Sequence, residues 1–120
     1  MEKLTAQEEQ AMKIVWQLGK CNVREIVAQM DEPKAPYTTV ASVVSNLKAK
    51  HYVNQGRQGK TYIYTPAISE DDYKSSFMSH FVHDYFKNSF KEMVTFFARK
   101  ENLSPEDLQD IVDEIEKGGR

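Results

Sequence analysis

A mainly α chain with one small β-hairpin is the fold class that this sequence predicts, and three observations predict it. Apolar residues recur at helical spacing in six separate stretches. Two short runs rich in aromatic and β-branched residues, Tyr52–Gln55 and Thr61–Thr65, are joined by Gly56-Arg57-Gln58-Gly59-Lys60, which reads as a hairpin. The hairpin comes directly after the third helical stretch. Three helices with a turn before the third, then a hairpin, is the order of a winged helix-turn-helix. Residues 1–67 are assigned to it, and residues 68–120 to a helical dimerisation domain.

The first helix opens at Thr5-Ala6-Gln7-Glu8, a capping box in which the Thr hydroxyl and the Glu carboxylate satisfy free N–H groups. Ala11, Ile14, Val15 and Leu18 form its apolar stripe, with Met12 and Trp16 widening it, and Gly19 stops it. Trp16 is expected in the core, because its neighbours at helical spacing are apolar. Asn22-Val23-Arg24-Glu25 repeats the cap, and Val23, Ile26, Val27 and Met30 give a short second helix. Pro33 and Pro36 then stand three apart, removing amide donors and driving the preceding residues out of the helical region, so the turn falls here.

In the third helix Val40, Val43, Val44 and Leu47 close an apolar stripe. At about 100° per residue, Thr38, Ser42, Ser45 and Ala49 lie opposite it, flanked by Ala41 and Asn46. That face carries neither a bulky side chain nor an acid, so it suits a major groove. Between Pro33 and Ser69 stand Lys34, Lys48, Lys50, Arg57 and Lys60 and not one Asp or Glu, in a chain whose net charge is −2. A cationic window in an acidic protein implies a polyanion partner.

Ser69-Glu70-Asp71-Asp72 opens a longer helical stretch, with acids where the helix dipole favours them. Tyr73, Phe77 and Phe81 form one stripe and Val82, Phe86, Phe90, Met93 and Phe97 another, so one straight helix would be apolar nearly all round. A break at Asn88-Ser89 is expected, giving helices over 70–87 and 89–100. Ser104, Pro105, Glu106 and Asp107 start the last helix, with Pro at the first helical position. Leu108, Ile111, Val112 and Ile115 form its stripe, and Gly118-Gly119 ends it. Eight of the twelve Phe and Tyr residues lie between Tyr73 and Phe97, more aromatic surface than three short helices can cover. Such a surplus marks an interface, and a two-fold homodimer closes it most simply.

Composition bounds the remaining classes. A chain of 120 residues buries roughly two-thirds of its extended-chain surface, enough for one or two small units. No apolar run approaches the roughly 20 residues of a spanning helix, and the N-terminal MEKLTAQEEQ is charged and helical rather than signal-like, so a cytoplasmic location is expected. A single Cys21 excludes an internal disulfide. Residues 1–66 hold nine Lys/Arg and six Asp/Glu, whereas residues 67–120 hold seven and twelve, so the two halves are built for different partners. His80 and His83 share a helix face at a metal-compatible spacing, but no third ligand is near in sequence, and they read as surface residues. Cys21 reads as structural. There is no GxSxG, HExxH or Walker-type loop, so no enzyme, cofactor or metal is expected.

Tyr37-Thr38-Thr39-Val40, Leu47, Lys50, the Gly-Arg-Gln-Gly-Lys segment and Tyr62-Ile63-Tyr64-Thr65-Pro66 resemble the BlaI/MecI/CopY family of bacterial penicillinase and copper-response repressors. Leu4, Thr5, Glu8, Val15 and Trp16 at one end and Leu103-Ser104 at the other extend the resemblance over nearly the full length. It implies a homodimer with an N-terminal winged helix on operator DNA and a C-terminal helical dimerisation domain. In the penicillinase branch it further implies a membrane sensor-protease system that releases the repressor by cutting an Asn-Phe bond. By the register of Leu103-Ser104 that bond maps to Phe96-Phe97, where the Phe is kept and the Asn is not. Copper-responsive members carry a Cys-rich tail, whereas this chain has no cysteine after Cys21.

The expectation is therefore a homodimeric, sequence-specific repressor on a palindromic operator. Thr38, Thr39, Ser42, Ser45 and Asn46 are expected to read base edges, and Lys34, Tyr37, Lys48, Arg57 and Lys60 to hold phosphates. Phe77, Phe81, Phe86, Phe90, Met93, Phe97, Leu108, Ile111 and Ile115 are expected at the dimer interface. Two alternatives stand beside it: a winged helix that docks a partner protein, and a metal or redox sensor using Cys21 or the two histidines.

Overall fold

Every helix start that the sequence marks with a cap is present. The computed structural model describes residues 1–118. The chain divides into two units, Met1–Ser76 and the part from Phe77 onward.

In the first unit, helix α1 (Ala6–Leu18) begins at the Thr5/Glu8 capping box: the Thr5 amide donates to Glu8 Oε1 at 2.9 Å and the Glu8 amide to Thr5 Oγ1 at 3.2 Å. Helix α2 (Val23–Ala28) begins at the matching Asn22/Glu25 box. Helix α3 (Tyr37–Ala49) follows the proline turn. It ends in a Schellman motif, in which the His51 amide donates to the Lys48 carbonyl at 3.0 Å and the Tyr52 amide to the Leu47 carbonyl at 2.9 Å. His51 takes the left-handed position there, with φ 67°.

The hairpin is longer and its turn tighter than expected. Strands β1 (Val53–Gln58) and β2 (Thr61–Pro66) pair antiparallel in register, from Val53 opposite Pro66 to Gln58 opposite Thr61. Gly56 and Arg57 are thus strand residues, and the connection is only Gly59-Lys60. Gly59 sits at φ +65° while Lys60 does not, the pattern of a II′ turn with Gly at its first central position. Cys21 adds a short third rung: its amide donates to the Tyr64 carbonyl at 3.0 Å, and the Tyr64 amide donates back at 2.7 Å.

The core of this unit gathers Met12 and Val15 of α1, Ile26 of α2, and Val40, Val44 and Leu47 of α3, together with Tyr52, Val53 and Tyr64. Trp16 packs on its edge and donates Nε1–H to the Ile68 carbonyl at 2.8 Å. Helix α4 (Glu70–Phe86) contributes Tyr73 to this unit: its ring lies 5.3 Å from that of Trp16 and 5.9 Å from that of Tyr52, and its hydroxyl donates to Glu9 at 2.6 Å. These contacts explain why the division falls after Ser76 and not at the 67/68 junction where the hairpin ends.

In the second unit the expected break is present, with Ser89 as the N-cap of α5 (Phe90–Lys100). Lys87 and Asn88 both have positive φ, so α4 stops at Phe86. Helix α6 (Pro105–Gly118) starts with the Ser104 hydroxyl accepting from the Asp107 amide at 3.0 Å. Of the expected stop at Gly118-Gly119, the second glycine lies outside the described residues. Among the described residues of this unit only Val82 is buried. Phe81, Phe86 and Phe96 form a chain of ring contacts at 5.8 and 5.7 Å.

Candidate nucleic-acid interface

Helix α3 separates its two faces cleanly. Val40, Val44 and Leu47 are at most 1% exposed, whereas Thr38, Ser42, Ser45 and Asn46 are exposed and Thr39 is half-buried. Each buried residue of that stripe contributes about 1.5–3 kcal/mol relative to exposure, which fixes the rotation of the helix and so the direction of its polar face. Ser42 and Ser45 are short enough to bring a groove wall close to the helix backbone.

The cationic window does not survive intact. Lys34 is exposed but engaged: its ammonium donates to the carbonyls of Met30 at 2.6 Å, Ala28 at 3.0 Å and Val27 at 3.4 Å, at and just beyond the C-terminal end of α2. These bonds tie the Lys34 ammonium, expected to hold a phosphate, to the C-terminal end of α2. Lys50 is half-buried. It donates to Glu8 Oε1 at 2.6 Å and to the Lys3 carbonyl at 2.9 Å, with the Glu8 side chain only 5% exposed. Burial works to raise the Glu8 carboxyl, but the Lys50 ammonium and the Thr5 amide together hold it below the usual carboxylate range. The neighbouring Tyr52 hydroxyl donates to the Glu2 carbonyl, so the first residues are tied to the far end of α3.

Lys48, Arg57 and Lys60 remain exposed, Lys48 in the last turn of α3, Arg57 on β1 and Lys60 at the wing tip. Two basic residues outside the window join them. Lys20 lines a shallow concavity on the wing together with Arg57, Gln58 and Thr65. Arg24 of α2 places its guanidinium 5.7 Å from the centre of the Tyr37 ring, at the first residue of α3. Arg57 lies over the ring of Tyr62, its cross-strand partner, at 5.2 Å. Tyr37 and Tyr62 are both exposed, and both reach the buried Tyr64 electrostatically: burial raises the Tyr64 hydroxyl first, and these two phenols raise it further. Neither Lys20 nor Arg24 was legible as part of the face, because each lies in an earlier element whose approach to α3 or the wing is tertiary.

The alternative sensor residues are placed differently. Cys21 is 1% exposed within its backbone bridge, and burial followed by the Glu25 carboxylate pushes its thiol up to about 11. His83 Nδ1 lies 3.0 Å from Asp84 Oδ1. Among the described residues no group of three or more His, Cys, Asp or Glu side chains is arranged to hold a metal ion.

The second unit exposes apolar surface on all three of its helical segments. Of the residues expected at an interface, Phe77, Phe90, Phe97, Leu108, Ile111 and Ile115 are exposed, whereas Phe81, Phe86 and Met93 are half-buried. Phe81 and Phe86 are turned toward the intrachain ring cluster. Val94, Phe96 and Val112 are exposed as well. Val94, Ala98, Leu103 and Leu108 line an open groove of about 600 Å³ between α5 and α6.

A polar helix face flanked by exposed cations can be compared with proteins of known role. The penicillinase repressor family profile matches residues 4–117. The chain belongs to that family. It is a DNA-binding transcription regulator of the repressor class and not an enzyme. The penicillinase repressor of Bacillus licheniformis is 23% identical over 111 residues, covering 92% of this chain and 87% of that one. The methicillin resistance regulatory protein MecI of Staphylococcus aureus is 22% identical, covering 91% and 89%. Among solved structures, the DNA-binding domain of the repressor BlaI superposes with TM-score 0.52 at 26% identity, over 61% of this chain and 94% of that one. The monomeric form of Bacillus licheniformis BlaI in complex with the blaP half-operator superposes with TM-score 0.50 at 25% identity, over 60% and 89%. Among the described residues no helix is long and apolar enough to cross a membrane.

Proposed function

We propose that this penicillinase repressor family member acts in the cytoplasm as a homodimer, laying α3 of each protomer into the major groove of a palindromic operator and blocking transcription by covering the promoter. The observation that carries this reading is the exposed, acid-free face of α3 opposite a fully buried stripe. Thr38, Thr39, Ser42, Ser45 and Asn46 read base edges and thymine methyls, while Tyr37, Lys48, Arg57 and Lys60 hold phosphates and fix the register. A related chain, BlaI of Bacillus licheniformis, forms a complex with the blaP half-operator, which supports DNA as the partner. Two-fold symmetry sets the half-sites about one helical turn apart, roughly 34–36 Å, or a multiple of it.

The second unit supplies the pairing surface through Phe77, Phe90, Phe97, Leu108, Ile111 and Ile115, joined by Val94 and Val112. Release by a membrane sensor-protease system fits the same arrangement, because cutting at Phe96-Phe97 would split α5 and part its first two turns from α6, dividing the pairing surface. Both residues are exposed but helical, so cleavage there requires α5 to open locally.

The test is binding of Ser42→Glu and Lys60→Ala to an operator duplex and to a scrambled one. Ser42→Glu places an anion against the groove and abolishes preference for the operator. Lys60→Ala weakens both duplexes alike and lowers the salt slope by about one. Equal losses on both duplexes for both variants would refute the division of roles, and indifference of the wild type to DNA would favour a protein-docking wing.

A further inference from the structure

Two guanidinium-on-phenol pairs flank the reading face, and of their two arginines only Arg57 belongs to the expected phosphate contacts. Arg57 over Tyr62 sits on the wing, and Arg24 over Tyr37 joins α2 to the first residue of α3. Among the described residues neither arginine has a carboxylate within ion-pairing distance. The acid beside Arg24 is already engaged, since Glu25 Oε1 accepts from the Asn22 amide at 2.8 Å. Each guanidinium carbon lies within cation–π range of its ring, a contact that consumes none of the N–H groups able to match two phosphate oxygens. The stack also fixes a long side chain before any ligand arrives, removing much of the ordering cost of a phosphate contact.

We propose that Arg24, held by the Tyr37 ring, is a preorganised phosphate clamp at the leading end of α3, gripping the operator backbone in bidentate fashion as Arg57 on Tyr62 does at the wing. The clamp rests on the DNA-binding role proposed above and adds to it a residue from α2. Its division of labour is specific: Arg24 supplies the charge, and Tyr37 supplies the platform that aims it.

The test uses the full chain, a duplex from the DNA upstream of its own gene and a mixed-sequence duplex, titrated by fluorescence anisotropy over a salt series. Wild type is measured first, and a loss of affinity with rising salt is expected. Arg24→Gln weakens both duplexes by roughly three- to tenfold and lowers the salt slope by about one, the signature of a lost phosphate contact. Arg24→Lys restores the slope but not the full affinity, because a point charge replaces a fork. Tyr37→Ala weakens binding by roughly two- to fivefold with the slope unchanged, since the charge remains but is no longer aimed. Thermal melting of each variant separates these effects from loss of fold, which would lower the transition without altering the slope of the folded fraction. If wild type shows salt-dependent binding and Arg24→Gln keeps its slope, the clamp is refuted while the DNA-binding role stands. If wild type ignores duplex DNA, both fall together.

Discussion

Replacing Lys50 with Met isolates the device that anchors the reading helix. The ammonium lies 2.6 Å from a carboxylate that is 5% exposed, and the lysine side chain itself is 21% exposed. Removing one partner of a well-buried pair costs about 3–5 kcal/mol, because the remaining charge is stranded. Here the partial exposure of the lysine and the amide of Thr5, which still donates to Glu8, reduce the cost to about 2–4 kcal/mol. For a unit the size of Met1–Ser76 that lowers the melting temperature by roughly 10–25 °C. Glu8→Gln in the same chain removes the stranded charge and keeps a capping side chain, so the double variant recovers about 1–3 kcal/mol relative to additivity. The sign with pH follows from the direction of the shift. A carboxyl held below its ordinary range stabilises the fold above that range, and the contribution is lost as pH falls through the folded value. The Lys50→Met penalty therefore shrinks in acid. Circular dichroism melts of wild type, both single variants and the double variant, at neutral pH and in acid, measure all of this. A penalty below about 1 kcal/mol, or one of equal size at both pH values, would refute the anchoring argument.

Other outcomes follow from the same geometry. His51→Gly relieves a left-handed non-glycine residue in the Schellman turn and stabilises the protein by about 1 kcal/mol in urea unfolding. Lys34→Met removes the donor from three carbonyls at the end of α2 and costs about 1 kcal/mol, while leaving the salt slope of DNA binding unchanged, since that ammonium is engaged within the chain. Cys21, buried with its thiol pushed up to about 11, is less than about one part in a hundred thiolate at pH 8 and reacts with an aromatic disulfide reagent only as fast as the unit unfolds. Ile111→Glu, at an exposed position on α6, shifts sedimentation toward monomer without lowering the melting temperature of the first unit.

Local signals were readable in the chain and long-range ones were not. The caps at Thr5, Asn22, Ser69 and Ser104, the stripes of α1 and α3 and the interruption at Asn88-Ser89 are set by residues within one helical turn of each other, so their spacing suffices. The Lys50–Glu8 pair spans 42 positions and the Tyr73–Glu9 bond 64, and no periodicity encodes either. The candidate site divides in the same way. The polar face of α3 follows from helical geometry alone, but the distribution of charge around it depends on which lysines the fold consumes. Two of the five cations in the acid-free window brace the fold, and Arg24 and Lys20, from outside it, stand exposed beside α3 and the wing. The hairpin turn was overestimated because Gly56 in the sequence looks like a turn residue, whereas in register it faces Ile63 as an ordinary strand position. In the second unit Phe81 and Phe86 belong to the same helical stripes as the exposed aromatics, and only the intrachain ring contacts, Phe81 on Phe86 and Phe86 on Phe96, distinguish them.

Hydroxyl-radical footprinting on the DNA upstream of this chain's own gene, with wild type and with Ser42→Glu, bears most directly on the role of α3. Two symmetry-related protected windows about one helical turn apart, present with wild type and absent with a folded Ser42→Glu, are the expected result. Protection that persists unchanged with Ser42→Glu, or no protection at all by the wild type, would contradict it.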